Sequence, residues 1–307
     1  MNVHARSIRY FDMICRCGSI REAARRLHVD GSAVNRQLLN LEEEVGATLF
    51  ERLPGGLRLT EAGRLFAQHV VTVLQDEQRV VAEIERLQGL ERGEVHLAAA
   101  ESLSEGLLPA VLERMASQHP KVALHVSMLG SGSIAQRVAS GDVDIGAAFA
   151  MSAHPDLTCV ASGQFRLGAV MAPGHPLAAR RRVSFDECAE YGLIMPNPDV
   201  AVHAILAPLV ARARRPVRTV VNSGAIELMR QLAMRGTGIG FQTRIGLDEV
   251  CAAGRLAFVP LDEADQAVAE LGFYVRAARA LPPAVNALLA MLGEALERLL
   301  ESEARMA

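Results

Sequence analysis

The sequence predicts an α/β protein built from an N-terminal winged helix-turn-helix, one long helix and a larger two-lobed α/β region. Three observations carry that prediction. Between Ser19 and Gly63 a capped Ala-Ala helix, a tight turn, a second amphipathic helix and a short Gly-rich hairpin follow one another. From Glu61 to Leu90 the chain contains no proline, and no glycine between Gly63 and Gly89. Beyond Val95, short apolar runs of strand length alternate with helical patterns.

The elements follow in order. A first helix over Ser7–Arg16 sets Ile8, Phe11 and Ile14 on one face. Ser19-Ile20-Arg21-Glu22 has the form of a capping box. The Ser19 hydroxyl accepts from the Glu22 N–H while the Glu22 carboxylate reaches back to the N–H of Ser19. The helix starts at Ile20, and the small Ala23 and Ala24 let a second helix cross closely. That second helix is placed over Ser32–Val45. Asp30 is its cap, Val34, Leu38, Leu41 and Val45 its buried stripe, and Gly46 its stop. Leu49–Arg52 and Leu57–Leu59, on either side of Pro54-Gly55-Gly56, read as a two-stranded wing, and Thr60 caps the long helix. Within that helix Phe66, Val73, Val80 and Leu87 recur every seven residues, joined by Val70 and Ile84. Such a seam suits self-association, the rival being packing on its own domain.

In the α/β region the strands are placed at Val95–Ala100, Val122–Met128, Asp144–Phe149, Arg166–Met171, Leu193–Met195, Val217–Val221, Gly238–Phe241 and Val268–Val275. Helices fall between most of them, which predicts largely parallel sheets, and a last helix covers Pro283–Arg305.

Composition sets bounds. A chain of 307 residues, 50% hydrophobic, supplies enough apolar surface for two or three cores. No apolar run reaches a membrane span and the first residues lack a signal-peptide core, so no membrane partner and a cytoplasmic location are expected. The net charge of −3 hides a local pattern, with acids bunched at Glu42–Glu44 and arginines recurring around the turn and wing. Lys121 is the sole lysine, so basic contacts fall to guanidinium groups. Five scattered cysteines without a Cys-x-x-Cys pair read as structural thiols, a redox switch being the rival. Gly236, Gly238 and Gly240 fail as a dinucleotide fingerprint because position 241 is Phe and the glycines precede a strand. No Gly-x-Ser-x-Gly elbow, His-Glu-x-x-His or P-loop occurs, and the histidines after residue 95 are dispersed. No catalytic residue, metal ligand or cofactor is therefore expected. His175 sits in a loop sequence, and His203 is a weak candidate for the cleft.

The blocks Ala23-Ala24-Arg25-Arg26-Leu27, Arg36-Gln37, Leu41-Glu42, Gly46, Leu49-Phe50-Glu51-Arg52 and Leu59-Thr60-Glu61-Ala62-Gly63 resemble, in fixed order, the N-terminal domain of LysR-type transcriptional regulators. The remaining length and layout are similar to that family's periplasmic-binding-protein-like effector-binding domain. The resemblance divides the chain into a DNA-binding domain (1–62), a linker and dimerisation helix (63–91) and an effector-binding domain (92–307). Lobe I then takes 92–163 and 268–307, and lobe II 164–267. Expected partners are a double-stranded DNA operator, a small and anionic effector, and further copies of the chain as a homodimer or homotetramer. The rivals are an effector-independent DNA binder and an enzyme on the two-lobed fold.

Candidate site residues follow. On the second helix of the turn, Ser32, Asn35, Arg36 and Gln37 face outward, where Asn35 matches adenine and Arg36 matches guanine or phosphate. Arg52 and Arg58 flank the wing and suit phosphates. The chain departs from the family at Asp30-Gly31-Ser32 and at Asn35, so the family's usual operator preference does not carry over. In the α/β region Ser102, Ser104, Ser131, Ser133, Asn197, Asn222 and Ser223 follow strands and precede helices. Crevices at the carboxyl ends of strands bind ligands, and helix N-termini favour anions. The rival for each is a plain helix cap.

Overall fold

The computed structural model describes residues 6–87, 92–151, 153–263, 266–277 and 280–306. They fall into two compact units, Met1–Val81 and Ala82–Ala307. The first unit holds α1 (Arg6–Cys17), α2 (Ile20–Leu27), α3 (Gly31–Val45), β1 (Phe50–Leu53), β2 (Gly56–Leu59) and most of α4 (Glu61–Leu87). Its core joins Ile8, Phe11 and Ile14 of α1 to Ala23 and Ala24 of α2 and to Val34, Leu38 and Leu41 of α3.

Local chemistry explains these boundaries. Ser19 accepts from the Glu22 N–H at 3.5 Å. The return half of the expected capping box is replaced, because the Glu22 carboxylate goes to Arg25 and Arg26 at 2.6 and 3.0 Å. Asp30 holds the N-cap position of α3 without a side-chain cap bond, and the helix begins at Gly31, one residue earlier than expected. Gly46 ends α3 in the left-handed region at φ 74°. Glu42 accepts from the N–H groups of Leu49 and Phe50 at 2.7 and 3.2 Å, which fixes the entry to the wing. β1 and β2 pair antiparallel from Phe50↔Leu59 to Leu53↔Gly56. The Leu57 N–H donates to Gly18 O at 2.9 Å, and a Cβ on Gly56 would stand 2.7 Å from that same oxygen. Thr60 caps α4 by accepting from the Gly63 N–H at 2.9 Å.

The heptad seam divides. Phe66, Val70 and Val73 pack into the winged unit's own core, Phe66 edge-on to Phe11 with ring centroids 5.0 Å apart. Val80, Val81 and Ile84 stay exposed further along α4, while the side chain of Leu87 lies outside the described residues, as do residues 88–90 of the expected helix.

The second unit runs β3 (Gly93–Ala99), α5 (Leu107–Gln118), β4 (Val122–Met128), α6 (Ser131–Ala139), β5 (Ile145–Phe149), β6 (Leu157–Met171), α7 (Phe185–Cys188), β7 (Leu193–Pro196), α8 (Ala201–Arg212), β8 (Thr219–Ser223), α9 (Ile226–Met234), β9 (Gly240–Thr243), α10 (Asp248–Ala252), β10 (Ala257–Pro260), β11 (Val268–Arg276) and α11 (Pro283–Met306). Strand order in the main sheet is β10-β6-β11-β5-β3-β4, with β9 also on β6, and β7 pairs with β8 in a second sheet. The sheets are mixed rather than largely parallel. β3 runs parallel to β4 and β5, and β7 to β8, but β6 and β11 pair antiparallel with each other and with their flanking strands. β6 runs through both halves of the sheet, pairing with β11 over Leu157–Arg166 and with β9 and β10 over Leu167–Met171, whereas β11 pairs only with β5 and β6. The core spans both halves and is closed by α5 and α11.

Candidate functional site

In the winged unit, α3 presents Ser32 and Arg36 fully and Asn35 and Gln37 in part. The arginines of the wing are already held. Arg52 donates to Asn35 Oδ1 at 2.9 Å, tying α3 to β1, and Arg58 meets Glu51, its register partner across the hairpin, at 2.7 Å. Arg36 forms no ion pair among the described residues. The three guanidinium groups are thus unequal, since Arg52 and Arg58 must exchange an internal partner for a phosphate and Arg36 need not.

The second unit holds a cavity of about 370 Å³ at the carboxyl ends of β3, β4 and β5 and the amino ends of α6, α8 and α9. Of the expected residues it brings together Ser102 and Ser131. The Ser131 hydroxyl donates to Phe149 O at 2.8 Å, keeping its lone pairs as acceptors. The other five do not line it. Ser104 donates to Glu101 O at 2.6 Å, and Ser133 and Asn222 are exposed. Ser223 is buried and accepts from the Ala225 N–H at 3.0 Å, as a turn residue. Asn197 donates its N–H to Ser223 O at 2.9 Å, continuing the β7–β8 pairing into the loop. His203 is likewise absent from the lining.

Glu101, Asp199, Gln242 and Thr243 join the cavity instead. Glu101 stands in the same loop after β3 as Ser102, so its place at the carboxyl end of a strand is itself a sequence signal. Gln242 and Thr243 are buried polar residues inside a strand, and buried polar groups away from a cap are themselves a signal. Gly130 and Val200, the N-cap residues of α6 and α8, make no side-chain cap bond, so both helix starts leave first-turn N–H groups toward the cavity. The start of α9 is already taken. There the Glu101 carboxylate accepts from the Ile226 N–H at 2.8 Å. Glu101 and Asp199 are the charged residues of the lining, and no basic side chain contributes to it.

Beside the cavity the buried Arg230 of α9 pairs with Glu105, which precedes α5, and with Glu227 one turn back. Burial disfavours the charged form, but the two carboxylates outweigh it and hold the guanidinium above its ordinary value. Gly106 and Gly246, both at positive φ, let this segment approach closely: a Cβ on Gly246 would lie 2.5 Å from Glu105 O. The cysteines are free thiols. Burial pushes Cys15 and Cys188 up to about 12, the pattern of packed rather than reactive sulfur. No described helix is long and apolar enough to cross a membrane.

Comparison with known proteins agrees with both units. Residues 5–64 match the bacterial regulatory helix-turn-helix protein family of LysR type, and residues 88–297 match the LysR substrate binding domain. The RuBisCO operon transcriptional regulator of Allochromatium vinosum is 26% identical over 239 residues, 78% of this chain and 79% of that one. A full-length OxyR variant from Pseudomonas aeruginosa shares the fold with a TM-score of 0.71 at 17% identity, covering 96% of this chain and 95% of its own. The effector binding domain of QuiR in complex with shikimate matches with a TM-score of 0.57 at 15% identity, over 67% of this chain and 98% of that domain. With a winged helix-turn-helix ahead of a two-lobed α/β effector domain, and with both family matches falling on those parts, the chain belongs to the LysR family of DNA-binding transcriptional regulators.

Proposed function

We propose that this regulator's grip on its operator is set by a small hydroxylated metabolite carrying an acid group, held in the cavity between Ser102, Ser131 and Thr243. One observation carries the reading. Three helix N-termini meet at the cavity, and the one that is satisfied is satisfied by a carboxylate, that of Glu101. The uncapped starts of α6 and α8 offer the same chemistry to a ligand's acid group. Glu101 and Asp199 then suit hydroxyl or amide donors on the ligand's other side, since carboxylates only accept. QuiR's domain, of the same fold, holds shikimate. The expected boundaries at residues 62, 91, 163 and 267 belong to this proposal, with α4 as the self-association element through Val80, Val81 and Ile84.

A thermal-shift screen of small hydroxylated acids against the full chain tests the proposal. A ligand at a hundredfold excess over its Kd stabilises by about 2.7 kcal/mol. Ser102→Ala and Ser131→Ala abolish that shift and keep the unliganded operator footprint. A chain that no such acid stabilises is the effector-independent binder, and equal loss of footprint in both variants makes these serines structural caps.

A further inference from the structure

Away from the cavity, the amino-terminal half of β3 and the middle of β4 bring three metal-binding side chains together. Alternation along β3 sends Val95, Leu97 and Ala99 into the core and sets Glu94, His96 and Ala98 on the other face. β4 runs parallel in the register His96↔His125, so the two imidazoles are same-face neighbours. Their rings stack with centroids 4.5 Å apart and planes within 11°. Further along this face α6 covers Ala98 with Ile134 and Val138, whereas Glu94 and His125 are exposed. One ligand atom from each of Glu94, His96 and His125 lies within 4.8 Å of the other two, and Glu94 Oε2 stands 3.9 Å from His125 Nε2.

We propose that Glu94, His96 and His125 bind a divalent transition-metal ion of the zinc class. Two imidazoles and one carboxylate are a donor set suited to zinc, nickel or copper, and three protein ligands leave a position open. At bonds of about 2.0–2.2 Å a tetrahedral ion needs its donors roughly 3.3–3.6 Å apart. The trio closes from its present spacing by side-chain rotation, which the exposure of Glu94 and His125 permits. Asp144 supports the arrangement. Its Oδ2 accepts from the His96 main-chain N–H at 2.9 Å and lies 3.6 Å from His96 Nδ1, just beyond hydrogen-bond distance, so a small rotation of the ring onto the ion would bring Nδ1–H to this carboxylate, the partner that ligand imidazoles commonly have. None of the three lines the cavity, and His125 and His96 lie three and four positions before its residues Met128 and Ala100, roughly 10 and 13 Å at strand rise, so the site is distinct from the effector's.

The test uses the full chain in metal-free buffer. Zn²⁺ is titrated against a chromophoric chelator, and Co²⁺ is followed by its visible absorption. One ion per chain is expected, with nitrogen and oxygen coordination and no thiolate-to-metal charge transfer. His125→Gln and Glu94→Gln, both at exposed positions, abolish the stoichiometric site, and Asp144→Asn weakens it by about 10–100-fold. Circular dichroism of the metal-free variants confirms that they are folded. Unchanged Zn²⁺ affinity in both ligand variants overturns the proposal, as does a Co²⁺ spectrum carrying thiolate bands, which assigns the ion to cysteine.

Discussion

Replacing Gly63 by alanine probes the joint between the wing and the long helix. A Cβ there would stand 2.0 Å from Leu49 O and 3.0 Å from both Leu49 C and Leu59 Cδ2, where real Cβ contacts stay beyond 3.0 Å. The first turn of α4 must therefore withdraw by about 1 Å from a backbone group that cannot rotate away. Withdrawal strains the Thr60 N–H bond to Leu49 O at 3.0 Å and the Thr60 hydroxyl bond to Thr48 O at 2.7 Å. Two such bonds contribute about 1–3 kcal/mol together. Overpacking adds about 1–3 kcal/mol, and the better helix propensity of alanine returns about 1 kcal/mol. The expected net loss is about 1–5 kcal/mol, centred near 3 kcal/mol and local to the winged unit. Hydrogen exchange on the full chain reads the central value as protection falling roughly 150-fold in peptides of α1 to β2, with those of β3 to α11 unchanged. Gly31→Ala is the control, because nothing lies within 4 Å of its Cβ and its φ is not positive, so it is neutral or stabilising. Wild-type exchange in Gly63→Ala would refute the steric reasoning.

Three further outcomes follow from the same contacts. Arg36→Ala lowers discrimination between operator and mismatched duplex by about 1–3 kcal/mol per base pair read, whereas Arg52→Ala weakens every sequence and lowers the salt slope by about one, as anisotropy titrations across salt concentrations will show. Iodoacetamide labels the exposed Cys159 of the native chain before Cys15 and Cys188, and mass spectrometry finding the reverse order contradicts the buried-thiol assignment. Bonds from Arg25 and Arg26 lower Glu22 from 4.5 to about 2. Because the folded value is the depressed one, its contribution is present above pH 4.5 and fades as pH falls toward 2. NMR titration of Glu22 near 4.5 contradicts this, as does a melting difference from Glu22→Gln that persists at pH 2.

Features set by chain-local chemistry were readable from residue types. Gly46, Thr60 and the Ser19 hydroxyl act as caps because a cap is satisfied within a few residues. Gly63 belonged to a recognised block, but its reason, the Leu49 carbonyl beneath it, is a contact between distant positions. Only the apolar half of β6 carries a strand signal, since Leu157–Gln164 is largely exposed and lacks alternation, and the four-residue edge strand β10, ending in Pro260, falls below any periodic signal. At the cavity, position after a strand is the signal that serines and asparagines carry in the sequence. Position cannot separate Ser131, beside the cavity, from Ser133 two residues on, which points elsewhere on the helix. The Asn35–Arg52 bond and the His96–His125 pair depend on register between separate elements, which residue spacing along the chain does not encode.

The central claim is that a ligand in the cavity between Ser102, Ser131 and Thr243 governs operator binding by the winged unit. Its most direct measurement is the operator affinity of the full chain with and without a saturating acid from the thermal-shift screen, in wild type and in Ala269→Leu. Ala269 lines the cavity from β11, so leucine fills part of it and leaves the residues of α3 and the wing unaltered. The wild-type affinity or footprint is expected to change with ligand, while Ala269→Leu keeps the unliganded footprint and loses the response. A full response retained in Ala269→Leu would contradict the claim, and so would a wild-type chain that binds the acid with no change at its operator.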